Sequence, residues 1–384
     1  MAALLRAIFT LAAIFPLSTA VSFLPPTGPY NTTITTHQLT DSSRIDPFSP
    51  TNASRTLMIS AFHPISPSAC KPSLAPYLDP TTASFEDTKF AQYGLPAGTF
   101  ELLSLSVCQP RNTFHHQQNS RKPESFPLIL FSPGLGTTRF FYTILAQQVA
   151  STGYTVLTID HPYDADIVVF PDNSTILGSN IETDADVLLA ISTRVADISF
   201  ILNHLSNPRN AKALLPSLTD PLSIYEVGIF GHSLGGASSA SVMLSDSRVV
   251  GGINLDGSFF GPALNSTLSR PFMLFGHSGK DTTTDSSWGI MWGNLRGWKR
   301  ELMLADSTHY TFSDLPVIVD VLGIRGQLPS AIVDGMLGSI GGGRAMEVVS
   351  AYVDAFFDRV LKGKRSSLLD EPSEEFPEVT FGSP

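Results

Sequence analysis

Only two cysteines, Cys70 and Cys108, occur in 384 residues. That scarcity excludes a disulfide-dense scaffold, and with no cluster of Cys and His at ligand spacing a structural zinc site has no support. Charge is scarce too. Asp, Glu, Lys and Arg make up 15% of the chain against 42% hydrophobic residues, which is too apolar for a disordered solvating protein. Cations are the rarer sign, with 24 Lys plus Arg against 34 Asp plus Glu and a formal net charge of -10. Such a chain repels polyphosphate and shows no basic patch, so nucleic acid is not an expected partner and a polybasic membrane anchor is lacking. Beyond residue 20 no stretch reaches 18 apolar residues without polar interruption, so no transmembrane segment is expected in the mature chain. What remains is a chain long enough for a large core, as one big α/β domain or two ordinary ones.

The first twenty residues stand apart. Arg6 precedes an apolar run over 7–17, and Ser18, Thr19 and Ala20 supply small residues before Val21. This reads as a cleaved signal peptide over 1–20 and places the protein in a secreted or extracellular setting. Sequons at Asn31, Asn52, Asn173 and Asn265 are candidate glycosylation sites in that setting. Cys70 and Cys108 have a single intramolecular connectivity there and form a candidate disulfide, the alternative being two isolated buried thiols.

Residues 21–54 are rich in Thr, Ser, Pro and Asn without a sustained period and read as an irregular N-terminal extension. A strand is expected over 56–62, stopped by Pro64 and Pro67. From Cys70 to about Pro123 the prolines and polar clusters suggest a surface excursion, with a short helix around 101–107. Strands and helices then alternate. Strands are expected over 127–131, 154–159, 225–230, 249–255 and 272–275, with the last strand-like segment from 302. Helices are expected over 140–150, 182–206, 237–243 and 345–361, and residues 287–300 read as a helix or helical lid. Alternation of this kind predicts a mostly parallel central sheet flanked by helices on both faces. A single catalytic domain over 21–361 is favoured, followed by a polar C-terminal tail over 362–384.

The chemistry concentrates at strand ends. Gly231-His232-Ser233-Leu234-Gly235 matches Gly-x-Ser-x-Gly between an apolar strand and a helix, the context in which that motif exposes a nucleophilic hydroxyl. A serine hydroxyl needs a base to take its proton, and the base needs a carboxylate to fix its tautomer. His309, in the loop after the last expected strand, is the preferred base, and His277 is the alternative. Asp256 and the alternative acid Asp281 satisfy the Ser, Asp, His order equally from pattern alone, with Asp306 a weaker third. Backbone donors for an oxyanion are expected from Leu234, directly after the nucleophile, and from Leu135 in the turn Gly134-Leu135-Gly136. Phe140, Phe141, Trp288 and Trp292 are candidate lining for an acyl pocket or an interfacial lipid contact, against the plainer reading of core packing.

These motifs resemble the platelet-activating-factor acetylhydrolase family of α/β-hydrolases. The likeness is carried by Phe131-Ser132-Pro133-Gly134-Leu135-Gly136, the elbow Gly231-His232-Ser233-Leu234-Gly235-Gly236, Leu255-Asp256-Gly257, and Thr308-His309 followed by Ser313-Asp314. It runs from about residue 59 to 357. The resemblance implies the α/β-hydrolase fold, Asp256 rather than Asp281 as the acid, His309 as the base and Leu135 with Leu234 as oxyanion donors. It further implies calcium-independent removal of a short sn-2 acyl group from a phospholipid, with no cofactor and no metal. Two positions depart from the family pattern: Pro133 stands where a histidine is common, and Leu234 where an aromatic residue is frequent. A general carboxylesterase acting on acetylated, feruloylated or polyester substrates is the alternative, and a noncatalytic hydrolase-fold binding protein is the reading from another class.

Overall fold

The computed structural model describes residues 20–111, 125–218 and 220–382. The expected signal peptide therefore lies outside the described residues except for Ala20. A nine-stranded sheet organises the chain: β1 (Asn31–Ile45), β2 (Ser54–Ile65), β3 (Leu128–Ser132), β4 (Thr155–Asp160), β5 (Val227–His232), β6 (Val249–Leu255), β7 (Phe272–Gly276), β8 (Lys299–Leu304) and β9 (Val379–Phe381). Their spatial order is β9-β8-β7-β6-β5-β3-β4-β2-β1. The six strands from β8 to β4 are parallel, and β9, β2 and β1 join antiparallel at the two ends. This is the mostly parallel, helix-flanked sheet that the alternation predicts and the α/β-hydrolase architecture that the resemblance implies.

Period-two alternation sorts the strand side chains into two cores. In β3, Ile129 and Phe131 face one core while Leu128 and Leu130 face the other. The first core is closed by α2 (Thr143–Ser151) and α6 (Gly342–Leu361), and the second by α3 (Asp184–Leu205), α4 (Leu234–Ser245) and α5 (Ser286–Asn294). The earlier helix α1 (Pro80–Phe90) lies between the cysteines and is capped by Asp79, which accepts from the amides of Thr81 and Thr82. Chain order reverses between β3 and β5: the chain runs outward from β3 to β4, then returns to place β5 on the other side of β3. Loops leaving the carboxyl ends of β3 and β5 thus diverge, opening a crevice at the switch point where ligands bind in open α/β sheets.

Four expectations are corrected. The stretch 21–54 is not irregular: β1 occupies fifteen residues of it, paired antiparallel with β2. Its repeated threonines favour extended backbone, and as an edge strand it needs only a few inward side chains, Thr32, Thr33 and Leu39 among them. Pro64 does not end β2, whose last residues pair with β1 at this side of the sheet. The helix expected at 101–107 is instead the strand Leu103–Pro110, where Leu103 and Leu105 are buried at strand spacing. It pairs with Val21–Ser22 and Cys70–Pro76 in a separate three-stranded sheet. The tail is not merely polar, because β9 pairs with β8 and buries Val379.

The Cys70–Cys108 disulfide is present and joins the two antiparallel strands of the small sheet, 38 residues apart. Closing a loop of that length restricts the unfolded chain by about 4 kcal/mol in the chain-entropy model. The double variant Cys70→Ser, Cys108→Ser is expected to lose about 2–4 kcal/mol of stability, read from its urea midpoint. An unchanged midpoint would contradict a stabilising role for the bridge.

Candidate active site

Ser233 sits on the turn from β5 into α4 with φ 54° and ψ -124°, a conformation L residues rarely adopt. Such backbone costs about 1–3 kcal/mol and persists only where the surroundings enforce it. Here they do. The Ser233 amide donates to the Leu255 carbonyl at 2.8 Å, and a Cβ on Gly235 would lie 1.9 Å from the Ser132 carbonyl oxygen. Only glycine at 235 lets helix and strand close around the turn, which leaves the half-buried serine reachable at the switch-point crevice.

Asp256 ends the neighbouring strand β6, also at positive φ (63°) and almost fully buried. Its turn is shaped by Asn254, whose side chain both accepts from the Gly257 amide and donates to the Gly257 carbonyl at 2.7 Å. Trp288 adds a third clamp, its indole N–H reaching the same carbonyl at 2.6 Å. His309 opens the short turn His309–Phe312, and its Nδ1 lies 2.5 Å from Asp256 Oδ2. Burial by itself raises a carboxyl, but hydrogen bonds from His277 and His309 outweigh it and hold Asp256 well below the usual carboxylate range. An ionised Asp256 can only accept, so Nδ1 of His309 carries the proton and Nε2 is left as the basic nitrogen.

His277 meets the same carboxylate. Its Nδ1 is 2.7 Å from Oδ1 and 2.8 Å from Oδ2, and its amide donates to Oδ1 at 2.9 Å. The donor atoms of Asp256, His277 and His309 lie within 4.8 Å of one another, as those of a metal site would, but both Nδ1 atoms are already hydrogen-bonded to the carboxylate. Asp281 stands apart in a surface turn, where its carboxylate accepts from Thr283 and Thr284. Asp306 occupies an exposed turn at φ 57°.

The turn after β3 is held from several directions. Gly134 donates its amide to Tyr142 Oη at 3.1 Å, and Gly136 donates to the Asp164 carbonyl at 2.9 Å. Between those two engaged amides lies Leu135. Arg194, fully buried on α3, grips the turn with NH1 on the Pro133 carbonyl (2.5 Å) and on Ser132 Oγ (3.0 Å), while Asp164 neutralises it through two contacts of 2.5 and 2.6 Å. Lys89 of α1 reaches the Gly136 carbonyl at 3.1 Å and pairs with Asp166. Leu234 begins α4, where the first helical amides have no partner within the helix. Leu234 follows the serine directly, and the turn that carries Leu135 packs against the same elbow, where a Cβ on Gly235 would lie 2.6 Å from the Pro133 carbonyl oxygen.

A relay connects this turn to the base. His232 is buried, and burial with the nearby His309 pushes it down to about 3, so the ring is neutral at ordinary pH. Its Nε2 must donate to the His309 carbonyl (2.8 Å), which leaves Nδ1 to accept from Tyr142 Oη (2.8 Å). The order Gly134 N–H to Tyr142 O–H to His232 to the His309 carbonyl runs from oxyanion turn through elbow to histidine loop. Asp314 ties the far side of that loop to α2 by accepting from Tyr77 Oη and the Ile144 amide at 2.9 Å, and burial lifts its carboxyl to about 7. Tyr142→Phe is expected to cut kcat/KM about tenfold, since loss of the buried hydroxyl leaves the Gly134 amide and the Nδ1 of His232 unpartnered. Activity equal to wild type would show that the relay has no positioning role.

Of the aromatic residues that are candidates for lining, burial gives Trp288 and Phe141 to core packing. Trp288 is fully buried beneath the acid turn, and Trp292 packs against the second core. Phe141 is buried against Phe90 and Phe100, and Phe140 stacks under Arg139 with 4.1 Å from guanidinium to ring centre. Leu135 and Leu234 instead share an apolar cluster with Ile181, Val187, Ile191, Phe48 and Phe260. Sequence reasoning missed this wall, which is assembled from five distant segments. Arg194 carried a usable signal, a lone cation within the apolar stripe of α3.

A strained serine turn after β5, a buried acid after β6 and a histidine in the loop after β8 define a hydrolase of the serine-esterase, α/β-hydrolase superfamily. The family model described as "Platelet-activating factor acetylhydrolase, isoform II" matches residues 95–175. The chain is 34% identical over 372 residues, covering 93% of itself and 92% of its relative, to a "Probable 1-alkyl-2-acetylglycerophosphocholine esterase" of Arthroderma benhamiae. It is 24% identical over 237 residues, 54% of each chain, to the platelet-activating factor acetylhydrolase of Cavia porcellus. Among solved structures, a ferulic acid esterase from Streptomyces cinnamoneus superimposes with a TM-score of 0.78 at 33% identity, covering 95% of this chain and 100% of that one. The chain belongs to the platelet-activating-factor-acetylhydrolase-like esterases of α/β-hydrolase fold.

Proposed function

We propose that the protein is a secreted serine ester hydrolase that removes short acyl groups, with 1-alkyl-2-acetylglycerophosphocholine-type lipids as its first substrate class. The observation that carries this reading is the Asp256–His309 hydrogen bond, together with the strained backbone of Ser233 at the elbow. His309 takes the proton as Ser233 attacks the ester carbonyl, and the amides of Leu135 and Leu234 hold the oxyanion. Asp256 stabilises the resulting imidazolium without itself taking the proton. The alcohol or lysophospholipid leaves, and water activated by His309 releases the acyl group from Ser233. The apolar wall around Leu135 and Leu234 suits a compact acyl chain.

A feruloyl-type ester is the second reading. Phe48 and Phe260, partly buried at the border of that wall, bring aromatic surface to it, and the similar solved structure is a ferulic acid esterase. The test is kcat/KM for purified enzyme on a short sn-2 acyl phosphatidylcholine, a long-chain phospholipid, methyl ferulate and p-nitrophenyl esters of graded length. Preference for the short-chain phospholipid is expected. Preference for methyl ferulate would transfer the assignment to the second reading.

Export is supported by the apolar leader pattern, the disulfide and the exposed sequon residues Asn52, Asn173 and Asn265. Among the described residues no helix is long and apolar enough to cross a membrane. The secreted product is expected to begin at Val21 on N-terminal sequencing, and a retained leader would contradict export.

A further inference from the structure

Asp256 accepts from two imidazoles, and the mechanism above uses one. The second, His277, is tied to the carboxylate through both its backbone amide and its Nδ1. Its side chain is about one-third exposed, like that of His309, whereas Asp256 is closed off from water. Both rings must present Nδ1–H to an ionised acceptor, so both hold the same tautomer with Nε2 free. Other titratable or charged groups around this set are His232, whose ring centre lies 4.5 Å from that of His309, Tyr310 at 5.4 Å, and Lys280, which is paired with Asp285 at 2.9 Å.

We infer that His277 is a positioning residue, which fixes the orientation of Asp256 and divides its charge between two histidines. The inference rests on the serine-esterase reading. A carboxylate that spends part of its hydrogen-bonding capacity on His277 pulls less strongly on the imidazolium form of His309. Protonation of either ring weakens the case for protonating the other, because both compete for one negative charge, so the acid side of the activity profile belongs to the three groups together.

The test is kcat/KM against pH on a soluble short-chain p-nitrophenyl ester for wild type, His277→Ala, His277→Asn and Ser233→Ala, with Tm recorded for each. His277→Ala is expected to lose about tenfold in kcat with little change in KM, and its acid limb to move up by about half to one pH unit. His277→Asn, which returns an N–H donor near Nδ1, is expected to recover kcat to within about threefold and to bring the limb back. A His277→Ala profile that keeps the wild-type acid limb overturns the inference, whatever its Tm. Should that variant not fold, the low-field proton spectrum of the wild type decides. Three Nδ1–H resonances bonded to carboxylates are expected, from His309 and His277 on Asp256 and from His161 on Asp197, one of them lost in His277→Asn, and fewer than three in the wild type overturns the inference. Wild-type turnover by Ser233→Ala would instead reject the serine mechanism, a failure distinct from that of His277.

Discussion

Ser233→Ala is expected to lower kcat on any accepted ester by about 10,000-fold or more, with near-native Tm and secondary structure. In the proposed mechanism the hydroxyl oxygen is the atom that forms the acyl bond. The substitution also leaves the backbone restraints in place. Gly235 still closes against Ser132, and the residue 233 amide still reaches the Leu255 carbonyl. The loss should therefore appear in the chemical step, while substrate still binds against the apolar wall around Leu135 and Leu234. Ester hydrolysis at the wild-type rate would remove Ser233 from the mechanism.

Asp256→Asn is expected to cost about 10,000-fold in kcat, against less than twofold for Asp281→Asn. An amide at 256 can present its N–H to Nδ1 of His309, which favours the tautomer with the proton on Nε2 and takes away the basic nitrogen. The same change sets the His277 donor against an amide that no longer has to accept. Asp281, bonded to threonines of its own turn, has no route to the base. Activity of both variants on one ester, with circular dichroism to confirm the fold, separates the two acids. The reverse ranking would move the carboxylate to the later loop.

The parts of this molecule that were legible in the sequence are those set by local pattern. Buried parallel strands read as short apolar runs, and the serine motif between strand and helix announced its own backbone. The choice of Asp256 over Asp281 was not local. Pattern left them equal, resemblance favoured Asp256, and the hydrogen bond to His309 gives the physical reason. The Leu-Ser-Leu-Ser-Val run at 103–107 had strand alternation in view, yet the surrounding prolines and polar clusters masked its pairing with Cys70–Pro76. Thr-rich β1 escaped notice because an edge strand needs little hydrophobic signal to be held. The tryptophan segment allowed a lid as well as core packing, and Trp288 takes the second role, a buried clamp on Gly257. Arg194 and Asp164, thirty residues apart, carry no pairing signal in a single sequence, although together they brace the oxyanion turn.

The central claim is that one serine at the β5–α4 turn carries the ester chemistry. Its most direct test is reaction of the wild-type protein with a fluorophosphonate, followed by intact mass and peptide mapping as esterase activity decays. One phosphonyl adduct per chain on Ser233, rising in step with lost activity, is the expected result. Full loss of activity with the adduct elsewhere, or full labelling of Ser233 with activity retained, would contradict the account.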